Sequence, residues 1–197
     1  MNDMPILNHK EQFITEVLNN KKNGFYVELG GSHSSENSNT YNLETYYDWD
    51  GFAIEVVPEL QKEYSANRRN PCVLGDAMKF NYLTHFEENK FPKQFDFLSV
   101  NIDPGYDDNT GRMLGNPAQS LLGLIALPLS SYRSSIIMFE HDSLQHYKNE
   151  PIRDAQREIL NALGYSLVVR TSTEDWWVDP NIIPYSQYKH FSKWLAY

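Results

Sequence analysis

Short apolar runs alternate with longer amphipathic stretches along this chain. The apolar runs predict β-strands over residues 25–29, 52–56, 72–74, 95–103, 134–140, 165–170 and 176–178. Apolar spacings of three and four residues predict helices over 9–20, 40–47, 58–66, 119–127 and 152–163. Strands that alternate with helices indicate an α/β fold with a mostly parallel sheet and helices on both faces.

The first predicted strand ends in an acid and two glycines, Glu28-Leu29-Gly30-Gly31. A glycine pair after a buried strand lets the backbone approach a ligand closely. About 25 residues further on, where such folds place a carboxylate that accepts hydrogen bonds from a ribose, the second strand ends at Glu55. Together these two features predict a cofactor that contains a nucleoside.

Each of the first five predicted strands is followed by polar groups. In parallel sheets the carboxyl ends of the strands share one edge, where ligands bind. We therefore expect one rim to gather the polar residues at these ends, which are Glu28, Glu55, Asp76, Asn101 with Asp103, and Glu140 with His141.

Composition narrows the class of protein. The 197 residues predict one domain, with an N-terminal helix over 1–23, an α/β core over 24–180 and an aromatic tail over 181–197. The formal net charge of −9 would repel a phosphate backbone, so no nucleic-acid partner is expected. The adjacent pair Arg68-Arg69 is interpreted as the solvated end of a helix.

The remaining sequence features concern the cellular compartment of the protein. The single cysteine, Cys72, cannot form an internal disulfide, and no apolar run reaches the ~20 residues of a membrane-spanning helix. These features predict a cytoplasmic protein without a membrane segment. They make no prediction about the oligomeric state.

The chain resembles the FkbM-type family of S-adenosylmethionine-dependent methyltransferases over about residues 24–180. The matching pieces are residues 25–31 with Ser38-Asn39-Thr40, then 49–55, 95–100, 139–142, 163–165 and 174–178. The resemblance implies a seven-stranded Rossmann-like fold. It also implies transfer of a methyl group from S-adenosylmethionine, usually to a hydroxyl oxygen of a sugar or another small molecule.

The same resemblance implies roles for individual residues. Glu28, Gly30 and Gly31 would line the methionine part of the cofactor. Glu55 would bind the ribose hydroxyls, and Asp76 with Ala77 would face the adenine. The chain departs from the family at residues 32–35, where a further glycine is usual, and at Asn101, which replaces an acid. Asn101 can still accept a hydrogen bond in the cofactor site, which leaves Asp103 with more of the acid–base work.

Methylation of an alcohol needs a group that takes the hydroxyl proton. His141 is the first candidate, because an unperturbed imidazole titrates near neutral pH. Asp103 is the second, either orienting His141 or binding the acceptor. Asp103, Glu140 and Asp142 are alternative ligands for a divalent metal ion, which prefers oxygen.

Aromatic residues late in the chain leave two structural interpretations open. Trp176 and Trp177 either wall the acceptor pocket or pack against the sheet. For the tail we expect packing or an oligomer contact rather than a pocket; its aromatic residues are Tyr185, Tyr188, Phe191, Trp194 and Tyr197.

Three other functions remain open from the sequence. Asp103-Pro104-Gly105-Tyr106 is similar to the Asp-Pro-Pro-Tyr loop of amino-methyltransferases, which would imply N-methylation. A nicotinamide-dependent oxidoreductase would also place an acid after its second strand, but the Gly-x-Gly-x-x-Gly loop that binds a pyrophosphate is missing. A catalytically silent cofactor-binding protein is the third alternative.

Overall fold

The computed structural model describes residues 7–32, 35, 38–105, 115–142 and 150–191. Within them the chain forms seven strands and seven helices. The strands are β1 (Phe25–Leu29), β2 (Asp50–Glu55), β3 (Cys72–Leu74), β4 (Gln94–Val100), β5 (Arg133–Glu140), β6 (Ser166–Arg170) and β7 (Glu174–Val178). The helices are α1 (His9–Val17), α2 (Tyr41–Tyr47), α3 (Pro58–Asn67), α4 (Tyr82–Glu88), α5 (Gln119–Ala126), α6 (Glu150–Ala162) and α7 (Tyr185–Tyr188).

The seven strands form one sheet in the order β3-β2-β1-β4-β5-β7-β6. Strands β1 to β5 pair in parallel, whereas β7 lies antiparallel between β5 and β6. This confirms the predicted α/β fold and brings the carboxyl ends of the five parallel strands to one edge of the sheet.

Helices cover both faces of the sheet. One core cluster contains Phe86 of α4, Leu124 of α5 and Leu160 of α6. A second cluster contains Phe13 of α1 and Leu43 of α2, together with the described part of the tail. The apolar stripes seen in the sequence therefore pack against the sheet from opposite sides.

Element boundaries differ most from the predicted ones at α1 and β4. Helix α1 stops at Val17, and both Asn19 and Asn20 adopt a positive φ. Strand β4 ends at Val100 rather than at residue 103. The next residue, Asn101, donates a backbone hydrogen bond to the carbonyl of Leu29. Helix α4 was not predicted because it is short and rich in aromatic residues, although the Asn81 side chain caps it.

The interpretation of Arg68 as a solvated residue was wrong. Its side chain is only 1% exposed, and Nε forms a 2.9 Å ion pair with Oε2 of Glu44. Helix α3 ends one residue earlier, and Arg68 has an extended backbone conformation, which carries its guanidinium to Tyr26 of β1. Only Arg69 is exposed as predicted.

Most of the described aromatic residues near the C-terminus pack in the core as expected, whereas Tyr185 of the tail is exposed. Trp177 is fully buried in the first core cluster. Phe191 packs edge-on against Phe13, with ring centroids 4.8 Å apart. Trp194 and Tyr197 lie outside the described residues. None of the described helices is long and apolar enough to cross a membrane.

Candidate active site

A cavity of about 1280 Å³ opens at the carboxyl ends of the parallel strands. The predicted convergence is confirmed for six of the strand-end residues, all of which line this cavity: Glu28, Glu55, Asp76, Asn101, Asp103 and Glu140. Gly30, Gly31 and Ala77 also contribute to its wall. The sequence therefore predicted which strand-end residues meet at this cavity; that the cavity binds a ligand stays a prediction.

The loop after β1 is held between two neighbouring strands. Gly30 and Gly31 donate backbone hydrogen bonds of 3.0 and 3.1 Å to the carbonyl of Ile54. Gly30 has a φ of +85°, and a Cβ built on it would lie 1.8 Å from the carbonyl oxygen of Asn101. Only glycine fits at this position, both for its dihedral angle and for its contact with the next strand.

Glu55 is fixed by backbone donors. Its Oε1 accepts hydrogen bonds of 2.8 Å from the amides of Val56 and Val57, and Oε2 accepts one of 2.9 Å from Ser32. A carboxylate has about four acceptor positions, so one position remains on Oε2 for a ligand hydroxyl. The side chain is thus oriented before any ligand arrives.

Glu28 is a buried carboxylate at the floor of the cavity. Its Oε2 accepts a 2.7 Å hydrogen bond from the Thr40 hydroxyl. Burial raises the pKa of Glu28 to about 7, although the Arg68 charge and the bond from Thr40 act in the opposite direction. Glu28 therefore changes its charge near neutral pH.

Asp76 lies at the outer end of the same part of the cavity. Its Oδ1 accepts from the Met78 amide at 2.9 Å, and Oδ2 is 2.8 Å from Nζ of Lys79. The hydrogen bond from Lys79 lowers the pKa of Asp76. We call the wall from Glu28 to Asp76 the cofactor half of the cavity; its predicted members are Glu28, Gly30, Gly31, Glu55, Asp76, Ala77 and Asn101.

A second group of acidic residues also lines the cavity. We call it the acceptor half; its polar and aromatic members are Lys10, Asp103, Glu140, Asp142, Glu174 and Trp176. Burial raises the pKa of Glu140 to about 8, and the negative charges of Asp142, Glu174 and Asp103 act in the same direction, against Lys10. Glu140 is thus a carboxyl group that titrates close to physiological pH.

Asp103 holds the loop after β4 in a turn. Its Oδ1 accepts a 2.7 Å hydrogen bond from the amide of Gly105, which has a φ of +71°. Tyr106 lies outside the described residues. The three proposed metal ligands Asp103, Glu140 and Asp142 line the same cavity, but the described residues contain no group of three or more His, Cys, Asp or Glu side chains arranged to hold a metal ion.

His141 does not reach the cavity, contrary to our expectation for the base. Its side chain is fully buried, and its Nε2 lies 3.7 Å from Oδ1 of Asp175, which also pairs with Arg157 of α6. Side chains alternate between the two faces of an extended segment. Glu140, the last residue of β5, lines the cavity, so His141 faces the opposite side of the sheet, where Asp175 and Arg157 lie.

Helix α1 supplies a part of the wall that the sequence analysis did not include. Asn8, His9 and Lys10 line the cavity. The Lys10 ammonium group forms an ion pair with Glu174 and a 3.3 Å hydrogen bond to Asn39. Partners 164 residues apart leave no local signal in one sequence.

The two adjacent tryptophans have different surroundings. Trp176 lines the cavity, and its Nε1 donates a 2.9 Å hydrogen bond to Glu174. Its ring packs against Phe13 with centroids 5.1 Å apart, whereas Trp177 faces the other side of the sheet. The pocket interpretation therefore holds for Trp176 alone.

Three solved structures with similar folds are named as methyltransferases or as proteins with a methyltransferase domain. A Staphylococcus aureus protein provisionally named a caffeoyl-CoA O-methyltransferase has a TM-score of 0.55 at 12% identity, over 90% of this chain and 87% of that one. The N-terminal domain of human METTL16 also has a TM-score of 0.55, at 14% identity, over 89% and 71% of the two chains. A human methyltransferase 10 domain containing protein has a TM-score of 0.51 at 15% identity, over 88% and 82%.

These likenesses define the Rossmann-like methyltransferase fold. No protein-family model matches the chain, and no curated protein sequence matches it. Membership of the FkbM-type family therefore stays a prediction from the sequence motifs.

Proposed function

We propose that the protein is an S-adenosylmethionine-dependent methyltransferase of the FkbM type that methylates a hydroxyl oxygen of a small molecule or glycan. The observation that carries this proposal is that all seven predicted cofactor residues line a single cavity. The fold of the similar structures supports the same activity.

The residues of the cofactor half fit the parts of S-adenosylmethionine. The open acceptor position on Glu55 suits a ribose hydroxyl, and the Asp76 carboxylate suits the exocyclic amine of adenine. Glu28 suits the cationic amino group of the methionine part. The cofactor has no pyrophosphate, so the missing Gly-x-Gly-x-x-Gly loop does not count against it.

The acceptor half can take a proton. When bound, S-adenosylmethionine supplies a methyl group on a sulfonium, which passes to the acceptor oxygen as the hydroxyl proton is released. Glu140 is our first choice to receive that proton, because its pKa of about 8 suits a general base near neutral pH. Asp103 is the second choice, and its bond to Gly105 fixes it at the rim.

The composition of the acceptor half supports a polyhydroxylated acceptor. Carboxylates accept hydrogen bonds from sugar hydroxyls with the assistance of charge, and the indole of Trp176 offers an apolar surface for a sugar ring. The acidic wall and the net charge of −9 disfavour a nucleic acid. A cytoplasmic location remains part of this proposal.

N-methylation is the second candidate. The observation that favours it is the turn that begins at Asp103, which lies at the carboxyl end of β4 and lines the cavity, as the Asp-Pro-Pro-Tyr resemblance requires. A planar nitrogen acceptor methylated in place of hydroxyl compounds would support this candidate over the first.

Thermal unfolding with S-adenosylhomocysteine, and with NAD in a parallel sample, tests the proposal. A ligand at 100 times its Kd stabilises the native state by about 2.7 kcal/mol, which raises the Tm of a protein of this size by roughly 5–10 °C. We expect this rise with S-adenosylhomocysteine alone.

Two variants control this experiment. Glu55→Ala should lose the rise, whereas Glu158→Ala, an exposed acid on α6, should keep it. A rise with NAD alone would replace the proposal with the oxidoreductase alternative. Binding of S-adenosylhomocysteine without transfer to any hydroxyl or amine acceptor would favour the silent protein.

A further inference from the structure

A chain of buried hydrogen bonds connects Glu28 in the cofactor half to Arg68, which follows α3. The Arg68 guanidinium donates from Nη2 to the Thr40 hydroxyl at 2.9 Å, and that hydroxyl donates to Oε2 of Glu28 at 2.7 Å. Thr40 and the Arg68 side chain are buried, and Glu28 is 2% exposed. Only Glu28 of these three residues lines the cavity.

Each hydrogen bond in this network has a fixed direction from donor to acceptor. A guanidinium has no acceptor, so Thr40 must accept from Arg68. A hydroxyl has one hydrogen, and the short contact to Glu28 shows where it goes. Glu28 therefore accepts at Oε2 from a hydroxyl that is itself oriented by the Arg68 guanidinium.

Arg68 itself is held in place by several partners. Besides the ion pair with Glu44, Nη1 donates to Ser38 at 3.1 Å and Nη2 to the Tyr26 hydroxyl at 3.1 Å. The guanidinium also lies 4.5 Å from the centroid of the Tyr64 ring. A cation fixed this firmly provides a constant field at the carboxylate of Glu28.

The titratable groups around Glu28 oppose one another. The buried carboxylate of Glu44 raises the pKa of Glu28, and burial raises it further, whereas Arg68 lowers it. Tyr26, Tyr64 and Cys72 all have raised pKa values and are neutral near pH 7. Arg68, the bond from Thr40 and a backbone hydrogen bond from Asn39 are thus what favour the ionised form of Glu28.

We propose that Arg68 and Thr40 are positioning residues that keep Glu28 ionised and oriented for the cationic amino group of the cofactor's methionine part. This inference rests on the proposed function. It gives a structural role to the motif Ser38-Asn39-Thr40, which joins Arg68 to the cavity wall.

Calorimetric binding with the pair Thr40→Val and Thr40→Ser tests this inference. Valine keeps the shape of threonine but has no hydroxyl, whereas serine keeps the hydroxyl. The probes are S-adenosylhomocysteine and 5′-methylthioadenosine, which lacks the amino-acid part. Titrations between pH 6 and 8.5 follow the protonation of Glu28.

We expect Thr40→Val to bind S-adenosylhomocysteine about tenfold more weakly at pH 7.5, since a hydrogen bond to a charged group is lost. The pH at which this affinity declines should move up by about one unit. Its affinity for 5′-methylthioadenosine should stay within twofold of wild type, and Thr40→Ser should match wild type with both probes.

Arg68→Lys gives an independent check, because lysine keeps the charge but cannot hold four partners. It should weaken S-adenosylhomocysteine binding and leave 5′-methylthioadenosine binding unchanged. Equal losses for both probes, or an unchanged pH profile in folded Thr40→Val, would overturn the inference. Failure of wild type to bind S-adenosylhomocysteine would instead overturn the proposed function.

Discussion

The two halves of the cavity are built by different means. In the cofactor half, Gly30, Gly31 and Glu55 are fixed by backbone hydrogen bonds between adjacent strands and loops. In the acceptor half, Lys10, Glu174 and Trp176 come from opposite ends of the chain and hold one another through side chains. The positions of these residues in the cofactor half are therefore set by the sheet, whereas those in the acceptor half are set by contacts between individual side chains.

This difference predicts how each half responds to mutation. A change at Gly30 in the cofactor half alters the backbone and should affect folding together with binding. A change in the acceptor half alters local charges and should affect activity with little effect on the fold.

Gly30→Ala should give the largest effect. The added Cβ would collide with the Asn101 carbonyl, so we expect loss of S-adenosylhomocysteine binding by more than 100-fold and a lower free energy of unfolding. Gly164→Ala is the matched control: Gly164 has a φ of +84°, but no atom lies within 4 Å of the added Cβ. It should cost only about 1–2 kcal/mol, measured by urea unfolding. Equal effects of the two variants would contradict the close approach at Gly30.

Glu140→Gln should give the second-largest effect. It should impair the acceptor half without changing cofactor binding. Loss of a general base lowers the rate by about 10²–10⁴-fold. Methyl transfer measured with a hydroxyl acceptor should fall by this factor, while calorimetry should show S-adenosylhomocysteine affinity within twofold of wild type. Retention of full activity would assign the proton to another group, with Asp103 as the next to test.

The pH dependence of stability should report Glu28 and Glu140. Their folded-state pKa values of about 7 and about 8 lie above the ordinary value of 4.5. The native state therefore holds these protons more tightly than the unfolded state, and their contribution to stability is lost as the pH rises through 7 and 8. Each group contributes a slope of up to about 1.4 kcal/mol per pH unit.

Urea unfolding between pH 6 and 8.5 checks this dependence. Glu140→Gln should flatten the decline, and Glu158→Gln should leave it unchanged. A decline that is the same in wild type and Glu140→Gln would show that Glu140 has an ordinary pKa.

Lys10→Met should give the smallest effect. The Lys10 side chain is 30% exposed, and a partly exposed ion pair contributes about 1 kcal/mol or less. We expect a Tm within a few degrees of wild type and a severalfold change in the KM for the acceptor. Lys62→Met, an exposed position on α3, is the control and should change neither quantity.

The same contrast explains what the sequence could predict. Parallel strands bring their ends together, so Glu28, Glu55 and Asp76 could be placed from strand order alone. Helix α1 could be recognised by its apolar stripe, but its contact with Glu174 depends on packing between distant segments. The burial of Arg68 likewise follows from partners on β1 and α2, which no local pattern shows.

For His141, the sequence contains a further signal, which is the alternation of side chains along β5. The choice rested on the ordinary pKa of imidazole rather than on the alternation of side chains along β5. Glu140 ends a strand whose neighbouring residues face opposite sides, so only one of Glu140 and His141 can face the cavity. Applying that alternation to the sequence would have made Glu140 and His141 mutually exclusive candidates.

The central claim is that one half of the cavity binds the cofactor and the other half performs the proton transfer. Titration calorimetry of S-adenosylhomocysteine with wild type, Glu55→Ala and Glu140→Gln tests it most directly. We predict that wild type and Glu140→Gln bind with the same affinity within twofold, and that Glu55→Ala binds at least tenfold more weakly. Equal weakening in both variants, or no binding to wild type, would contradict the account.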